Sequence, residues 1–261
     1  MNISDTFGDP PLIHCVKEQN LELIEFVLSQ STKVDTKESN GMTALMHASL
    51  LGNEEIVTKL LEKGADPNIR DKKNMTATLH AACHGKKKII VILKKAGDKT
   101  DIKEINGAFL IYLAKKGDVK NVQRLLQKGA DVNFADSKRW TPLICAAHYG
   151  RIEVVKELLK LPSVLVNAQA AMKTTALHHS AREGHADVVE QLVSHNADIN
   201  LQDNLGFTPL FYAKDELTAQ KLLLFKDKID FSLKNNDGLN ALDFHKKKKN
   251  SKIVEALENL Q

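Results

Sequence analysis

The sequence predicts an all-α fold, a solenoid of stacked helix–turn–helix units with projecting hairpin loops. Three observations predict it. A block that begins with Thr returns about every 33 residues. Its clear copies begin at Thr43, Thr76, Thr141, Thr175 and Thr208. A second block, GADPN, GADVN or NADIN, follows at residues 64–68, 129–133 and 196–200. Between the blocks, apolar pairs recur at helical spacing. Because no unit of this size can bury its own core, the units must stack.

Residues 41–74 show how one unit is built. Gly41 permits the positive φ of a tight turn, and Thr43 is placed to cap the first helix through its hydroxyl. Gly52 is predicted to end this helix in the left-handed conformation. A second helix follows, with an apolar stripe of helical period formed by Ile56, Val57, Leu60 and Leu61. Gly64 then ends the unit before a projecting loop or hairpin.

These residues resemble the ankyrin repeat, which has a period of about 33 residues and the signature T-P-L-H-x-A. The resemblance covers residues 5–261, which we expect to form a single ankyrin-repeat domain of about eight units. The units are predicted to start near residues 9, 41, 74, 106, 139, 173, 206 and 238, and the first and last should act as caps. The resemblance implies a concave face that binds protein partners, and no catalytic activity.

Composition and motifs narrow the class of protein. The chain of 261 residues has a formal net charge of +4, and no stretch approaches the roughly 20 apolar residues of a membrane span. Cys15, Cys83 and Cys145 lie in different units without a CxxC pattern, which disfavours a disulfide framework or a zinc site. No HExxH, GxSxG, GxGxxG or P-loop pattern is present. We therefore expect a cytoplasmic monomer that is not an enzyme and holds no cofactor or metal.

Aligning the units on the capping Thr isolates positions that the repeat does not dictate. In the resembled family, the residue before the Thr and the residues four, seven and eight after it form the concave face. This chain places its single Trp there, with Met, His, Tyr, Arg and Leu, and such residues mark interface cores. We predict one binding region over units five to seven, made of Arg139, Trp140, His148, Tyr149, Arg182 and Phe207. We predict an apolar stretch over units two and three, made of Met42, Leu50, Leu51, Met75 and His84.

The alternative for these residues is packing within the fold. Trp140 and Phe207 would then lie against their own hairpins, and the Leu pair would pack between repeats. The histidines raise a metal site as a further alternative, since His14, His47 and His80 hold equivalent places. Stacked helices lie roughly 10 Å apart, however, whereas zinc needs each nitrogen at about 2 Å. We expect these histidines to bond to neighbouring loops instead.

The leading functional hypothesis is a non-catalytic protein-interaction module, a scaffold, adaptor or inhibitor that binds a protein partner on its concave face. An enzyme or toxin with an unseen active site is a second hypothesis. A third is binding of a polyanion, nucleic acid or anionic lipid, through Lys-rich segments at residues 86–99 and 115–116. The lack of an Arg-rich helix or an aromatic platform disfavours nucleic acid. The Lys- and Asn-rich composition also suggests a secreted effector of an intracellular bacterium, acting on a host protein in the host cytosol.

Overall fold

A computed structural model of the chain describes residues 10–30 and 33–259. Over these ranges the chain forms fifteen α-helices and no strand, with one isolated antiparallel bridge between Lys37 and Thr43. This confirms the predicted all-α solenoid of helix–turn–helix units. The predicted domain start at residue 5 and the unit start near residue 9 lie outside the described residues. The chain divides into two compact units, one ending at Tyr112 and the other beginning at Leu113.

The first compact unit contains three helix pairs. They are α1 (Pro11–Lys17) with α2 (Leu21–Ser29), α3 (Ala44–Leu51) with α4 (Glu54–Glu62), and α5 (Ala77–Cys83) with α6 (Lys87–Lys95). The first helices of these pairs pack in chain order, α1 on α3 and α3 on α5. Leu12, Leu45 and Leu79 each have 1% of their surface exposed, so this row of first helices forms the core. Burying a leucine side chain contributes about 1.5–3 kcal/mol.

The boundary between the compact units lies inside α7 (Ile102–Lys116). The second compact unit continues with α8 (Val119–Gln127), α9 (Pro142–His148), α10 (Ile152–Leu159), α11 (Ala176–Glu183), α12 (Ala186–Ser194), α13 (Glu216–Leu223), α14 (Ala241–Lys247) and α15 (Ser251–Glu258). Before α13, a single 3-10 turn at Pro209–Tyr212 takes the place of a first helix. The described helices therefore fall into eight pairs, if that turn is counted as a first helix.

The fourth pair differs from the expectation of a turn near residue 106, because α7 already begins at Ile102. Asp101 accepts the backbone N–H of Lys103 at 2.6 Å, which supports an early helix start. The preceding loop also stabilises this additional turn at the start of α7. Both terminal nitrogens of Arg70 donate to the carboxylate of Glu104, at 3.2 and 3.0 Å.

The predicted caps of the first helices are confirmed. The hydroxyls of four capping residues accept the backbone N–H three residues later at 3.3 to 3.5 Å. These residues are Thr43, Thr76, Thr141 and Thr175. Such a cap stabilises a helix by about 1 kcal/mol. Gly52 ends α3 in the left-handed conformation, with φ 83°, as expected.

In most of the projecting hairpin tips, an acidic or amide side chain accepts backbone N–H groups of the tip and thereby fixes its shape. Asp71 Oδ1 accepts the backbone N–H groups of Lys73 and Met75, at 2.8 and 2.9 Å. The backbone N–H of Asp71 donates to the carbonyl of Met75 at 3.0 Å. The same bonds recur in the tips that begin at Asp136, Asp203 and Asn235.

Backbone hydrogen bonds join successive tips within each compact unit. In the first, the N–H of Lys72 donates to the carbonyl of Asn40 at 3.1 Å. In the second, Ala171 donates to Lys138, Asn204 to Met172 and Asn236 to Leu205, at 2.9 to 3.1 Å. Each tip therefore holds the next one in register.

The Asn that ends the second sequence block links its own loop to the corresponding loop of the next unit. Its side-chain N–H donates to a carbonyl of the following loop, and its oxygen accepts a backbone N–H from that loop. This reciprocal pair is formed by Asn68, Asn133 and Asn200 of that block, and also by Asn167 at the equivalent place of a unit that lacks the block. The recurrence of Asn in that block thus has a structural cause.

The sixth tip is the exception, because Ala170 stands where other tips have an acid or an amide. Met172 adopts φ 64° and ψ 12°, which is the conformation of the third residue of a type II turn. The carbonyl of Ala171 accepts the hydroxyl of Thr174 at 3.1 Å. Without a carboxylate to accept the tip N–H groups, this turn places a large side chain in the left-handed region, where glycine is favoured.

We expect Met172→Gly to raise the free energy of unfolding by about 0.5–1 kcal/mol, because glycine removes the steric cost of the left-handed conformation. Urea denaturation measures the change. The matched control is Lys138→Gly, at the equivalent place in the Asp136 tip but without a positive φ. It should lower the free energy of unfolding. A loss of stability in both variants would contradict the strain assigned to Met172.

Candidate functional site

The structure brings together three of the residues predicted for the central binding region. Trp140 precedes the capping Thr141, His148 is the last residue of α9, and Tyr149 follows it. The ring centroids of Trp140 and His148 lie 4.9 Å apart, and those of His148 and Tyr149 lie 4.7 Å apart. His179 of α11, which was not among the predicted site residues, joins them at 4.8 Å from Trp140. These four rings form the Trp140 cluster.

Charged side chains lie against the Trp140 cluster. Arg182 donates to His179 Nδ1 at 3.2 Å and to the carboxylate of Glu183 at 3.2 Å. The same carboxylate lies 3.5 Å from His148 Nδ1. Lys115 Nζ lies 5.1 Å from the ring centroid of Tyr149, within the range of a cation–π contact. Arg139 is exposed and directly precedes Trp140.

The imidazoles of the cluster are neutral near pH 7. Burial lowers the pKa of His148, although the charge of Glu183 acts in the opposite direction. Burial, together with the nearby charge of Arg182, lowers the pKa of His179 to about 3. The positive charge of this surface therefore comes from arginine and lysine.

The missing acid of the sixth tip explains why His179 joins the cluster. In three other units the equivalent side chain bonds to the tip acid, as His47 to Glu38 at 2.9 Å, His80 to Asp71 at 2.9 Å and Tyr212 to Asp203 at 2.6 Å. Since Ala170 offers no carboxylate, His179 Nε2 bonds to the hydroxyl of Thr174 at 3.1 Å instead. Its second nitrogen then pairs with Arg182, and its ring packs on Trp140.

Phe207 lies in a different aromatic cluster from Trp140. Its ring centroid is 5.1 Å from that of Phe211, 5.4 Å from Tyr212 and 5.0 Å from Phe244. Its carbonyl bonds to His178 Nε2 at 3.0 Å. The binding region that was predicted over units five to seven is therefore brought together only over units five and six.

The second predicted surface is corrected by burial. Met42 and Met75 are 8% and 2% exposed, so neither offers an apolar surface. The tips fix the backbone at both residues, because the backbone N–H of Met75 donates to the buried Asp71 and that of Met42 donates to the side chain of Asn40. Leu50 and Leu51 are half-buried, and Leu50 packs against the core. His84 is exposed, and its Nδ1 lies 2.9 Å from the carbonyl of His80.

Residues 10–30 and 33–259 contain neither a cluster of metal ligands nor a helix that could cross a membrane. These residues contain no group of three or more His, Cys, Asp or Glu side chains that could hold a metal ion. Within the same ranges, no helix has the length and apolar character needed to cross a membrane.

Comparison with known proteins identifies the repeat. A family model described as ankyrin repeats, in three copies, matches residues 1–71, 78–170 and 161–235. An ankyrin repeat protein of fowlpox virus is 28% identical over 158 residues, which are 58% of this chain and 46% of the viral protein.

Two mammalian relatives match shorter segments. Human ankyrin repeat and SOCS box protein 3 is 35% identical over 38% of this chain and 19% of its own length. Ankyrin repeat, SAM and basic leucine zipper domain-containing protein 1 of gorilla is 36% identical over 37% of this chain and 21% of its own length. The chain thus spans less than half of each of these relatives.

The lowered pKa of His179 predicts a loss of stability in acid. Between pH 6.5 and about pH 3, the unfolded chain binds a proton at this residue that the folded chain does not bind. The free energy of unfolding should therefore fall with decreasing pH, by about 1.4 kcal/mol per pH unit for this residue. Denaturation of His179→Gln from pH 7 to pH 5 should show a shallower decline than the original chain.

The control for this prediction is His195→Gln, which removes an exposed histidine outside the cluster. Its slope from pH 7 to pH 5 is the reference against which the slope of His179→Gln is compared. An equal slope in His179→Gln and the original chain would show that His179 is not held neutral by the fold.

Proposed function

Because the chain belongs to the ankyrin repeat family, we propose that it is a non-catalytic protein-interaction module whose partner binds at the Trp140 cluster. Ankyrin repeats generally bind proteins, which supports a scaffold, adaptor or inhibitor. The observation that carries the proposal is the packing of four rings from two neighbouring units against Arg182, with the exposed Arg139 directly preceding Trp140.

The composition of the cluster suits an interface core. Trp, Tyr and Arg dominate the residues whose truncation weakens protein complexes most. Trp140 and Tyr149 are half-buried, so each ring keeps an accessible part. Their ring contacts hold both side chains in place before a partner arrives. The backbone N–H of Trp140 also donates to the carboxylate of Asp136 at 2.8 Å. Such preorganisation lowers the cost in conformational entropy of binding a partner.

The cysteines support a structural role in a reducing compartment such as the cytoplasm. Cys15, Cys83 and Cys145 are buried thiols in first helices of different units. Burial raises the pKa of Cys145, which disfavours the reactive thiolate. These thiols act as small apolar core residues, in keeping with a module that has no nucleophilic catalysis.

A polyanion partner is the second candidate, and α6 is the feature that favours it. This helix contains lysines but no acidic residue, and its Val91 is 54% exposed. Three of its lysines already have contacts within the chain. Lys88 pairs with Glu54 at 3.2 Å, Lys94 with Asp98 at 2.8 Å, and Lys87 lies 5.3 Å from the ring centroid of Phe109. These contacts favour a solvated face, and binding that weakens steeply with salt would favour a polyanion.

The double variant Trp140→Ala with Tyr149→Ala tests the proposed function. We expect its affinity for a partner captured by the original chain to fall at least about tenfold, because aromatic anchors at interface centres contribute 2 kcal/mol or more. Isothermal titration with the purified partner measures the change, and circular dichroism verifies the fold.

The matched control is Phe231→Ala, which removes an aromatic ring that is 42% exposed and lies outside the cluster. It should bind the partner as the original chain does. Undiminished binding by the folded double variant would reject the Trp140 cluster as the interface.

A further inference from the structure

We propose that the segment bound at the Trp140 cluster is an acidic, extended peptide that carries one apolar anchor side chain. This inference rests on the proposed function and specifies the chemistry of the partner. It follows from the distribution of charge, the exposure of apolar atoms and the spacing of the repeat.

Exposed cations lie near the cluster on α7, on α11 and on the fifth and sixth tips. They are Lys115, Lys138, Arg139, Lys173 and Arg182. Lys138 and Arg139 belong to the fifth tip, and Lys173 belongs to the sixth tip, at the place equivalent to Arg139. The backbone bond from Ala171 to Lys138, at 3.1 Å, joins these two tips.

The carboxylates beside the cluster are engaged within the chain. Asp136 is half-buried, and its Oδ1 accepts the N–H groups of Lys138 and Trp140, at 2.8 Å each. Glu183 accepts from Arg182 and faces His148. Since both imidazoles are neutral, they neither add to nor offset the charge of the cations. The surface therefore attracts negative charge and disfavours a basic partner.

The arginines retain donors for a ligand. Arg182 uses Nε for Glu183 and one terminal nitrogen for His179, whereas a guanidinium has five N–H groups. Arg139 forms no ion pair in the part of the chain that the structure describes. Arginine binds carboxylates through two parallel hydrogen bonds, which is the strongest geometry for such a pair.

The spacing of the repeat favours an extended segment. Neighbouring units are stacked at roughly the 10 Å of packed helices, and an extended chain rises about 3.3 Å per residue. Acidic side chains about three residues apart would therefore meet the cations of successive units. The anchor would contact the half-buried rings of Trp140 and Tyr149, and Met172 at the sixth tip adds a side chain that is 52% exposed.

A nucleic acid fits this surface less well than a peptide. Stacking platforms for bases present a ring face to solvent. Here the rings of Trp140, His148 and Tyr149 pack edge-on or tilted against each other and are half-buried.

Selection from a phage-displayed library of random peptides of about 12 residues tests the inference, since that length spans three to four units. The enriched peptides are synthesised, and their affinities are measured by fluorescence anisotropy. We expect enriched peptides with net negative charge and at least one aromatic or aliphatic residue. Their affinity should fall about tenfold or more in Trp140→Ala with Tyr149→Ala, and about tenfold in Arg139→Gln with Arg182→Gln.

Arg182→Gln also removes the hydrogen bond to His179, so a loss of affinity in that variant could reflect a change in the fold. A second charge variant separates the two effects. Lys138→Gln with Lys173→Gln removes two exposed cations whose side chains have no ion pair in the described part of the chain. It should weaken the acidic peptides several-fold and leave the thermal unfolding temperature unchanged. Equal affinity in both charge variants and the original chain would overturn the inference.

The remaining outcomes separate this inference from the proposed function. If enriched peptides depend on Trp140 and Tyr149 but are neutral or basic, the function stands and the acidic partner is rejected. If no enriched peptide depends on these two residues, both are rejected. If a single-stranded oligonucleotide of the same charge displaces the peptide as well as the unlabelled peptide does, the surface binds polyanions in general and the inference is overturned.

Discussion

In the tips that begin at Glu38, Asp71 and Asp203, a carboxylate joins the tip to the helical segment that follows it, and the shape of these tips depends on this bond. One oxygen of Asp71 accepts two N–H groups of its tip, and the other bonds to His80 of α5 at 2.9 Å. Both side chains are buried, at 3% and 2% exposure. Burial opposes ionisation of Asp71, but the hydrogen bonds from His80 and the tip outweigh it and lower its pKa. Removing one partner leaves the other buried without its hydrogen bond, which costs about 1–3 kcal/mol.

A tip held in this way fixes both the stacking of the next unit and the surface that a partner meets. The tip N–H groups and carbonyls are aligned with those of the following tip, so backbone bonds continue from unit to unit within each compact unit. The backbone N–H of the residue before the capping Thr donates to the same carboxylate, which fixes the backbone at Met75 and at Trp140. The binding site that we propose lies where this arrangement is altered. Since Ala170 lacks the carboxylate, His179 turns to Trp140 and links two units through their rings.

Much of the fold could be predicted from the sequence because each repeat contains its own start and stop signals. The capping Thr residues and Gly52 act as predicted, and the period gives the order of the helix pairs. The start of α7 could not be placed, because its unit lacks the capping Thr and nothing in the sequence stops the helix from extending back to Ile102. The side chain of Asp101 supports the earlier start, and an Asp in that context is equally common in loops.

The candidate site was predicted in part. Trp140, His148, Tyr149 and Arg182 come together as expected. The role of His179 was missed, although its signal is present: alignment of the tips places Ala170 against Asp71, Asp136 and Asp203. The burial of Met42 and the separate position of Phe207 depend on which side of a tip faces the core, and a periodic pattern does not contain that information.

Hydrogen exchange measured residue by residue on Asp203→Ala tests most directly whether the tip carboxylate controls the stacking. If it does, the backbone amides of Leu205 and Phe207 lose protection because their acceptor is gone. The amide of Asn236 should lose protection with them, since it donates to the carbonyl of Leu205 in the adjacent tip. Unchanged protection of Asn236 while Leu205 and Phe207 exchange rapidly would contradict the account, because the tips would then keep their register without the carboxylate.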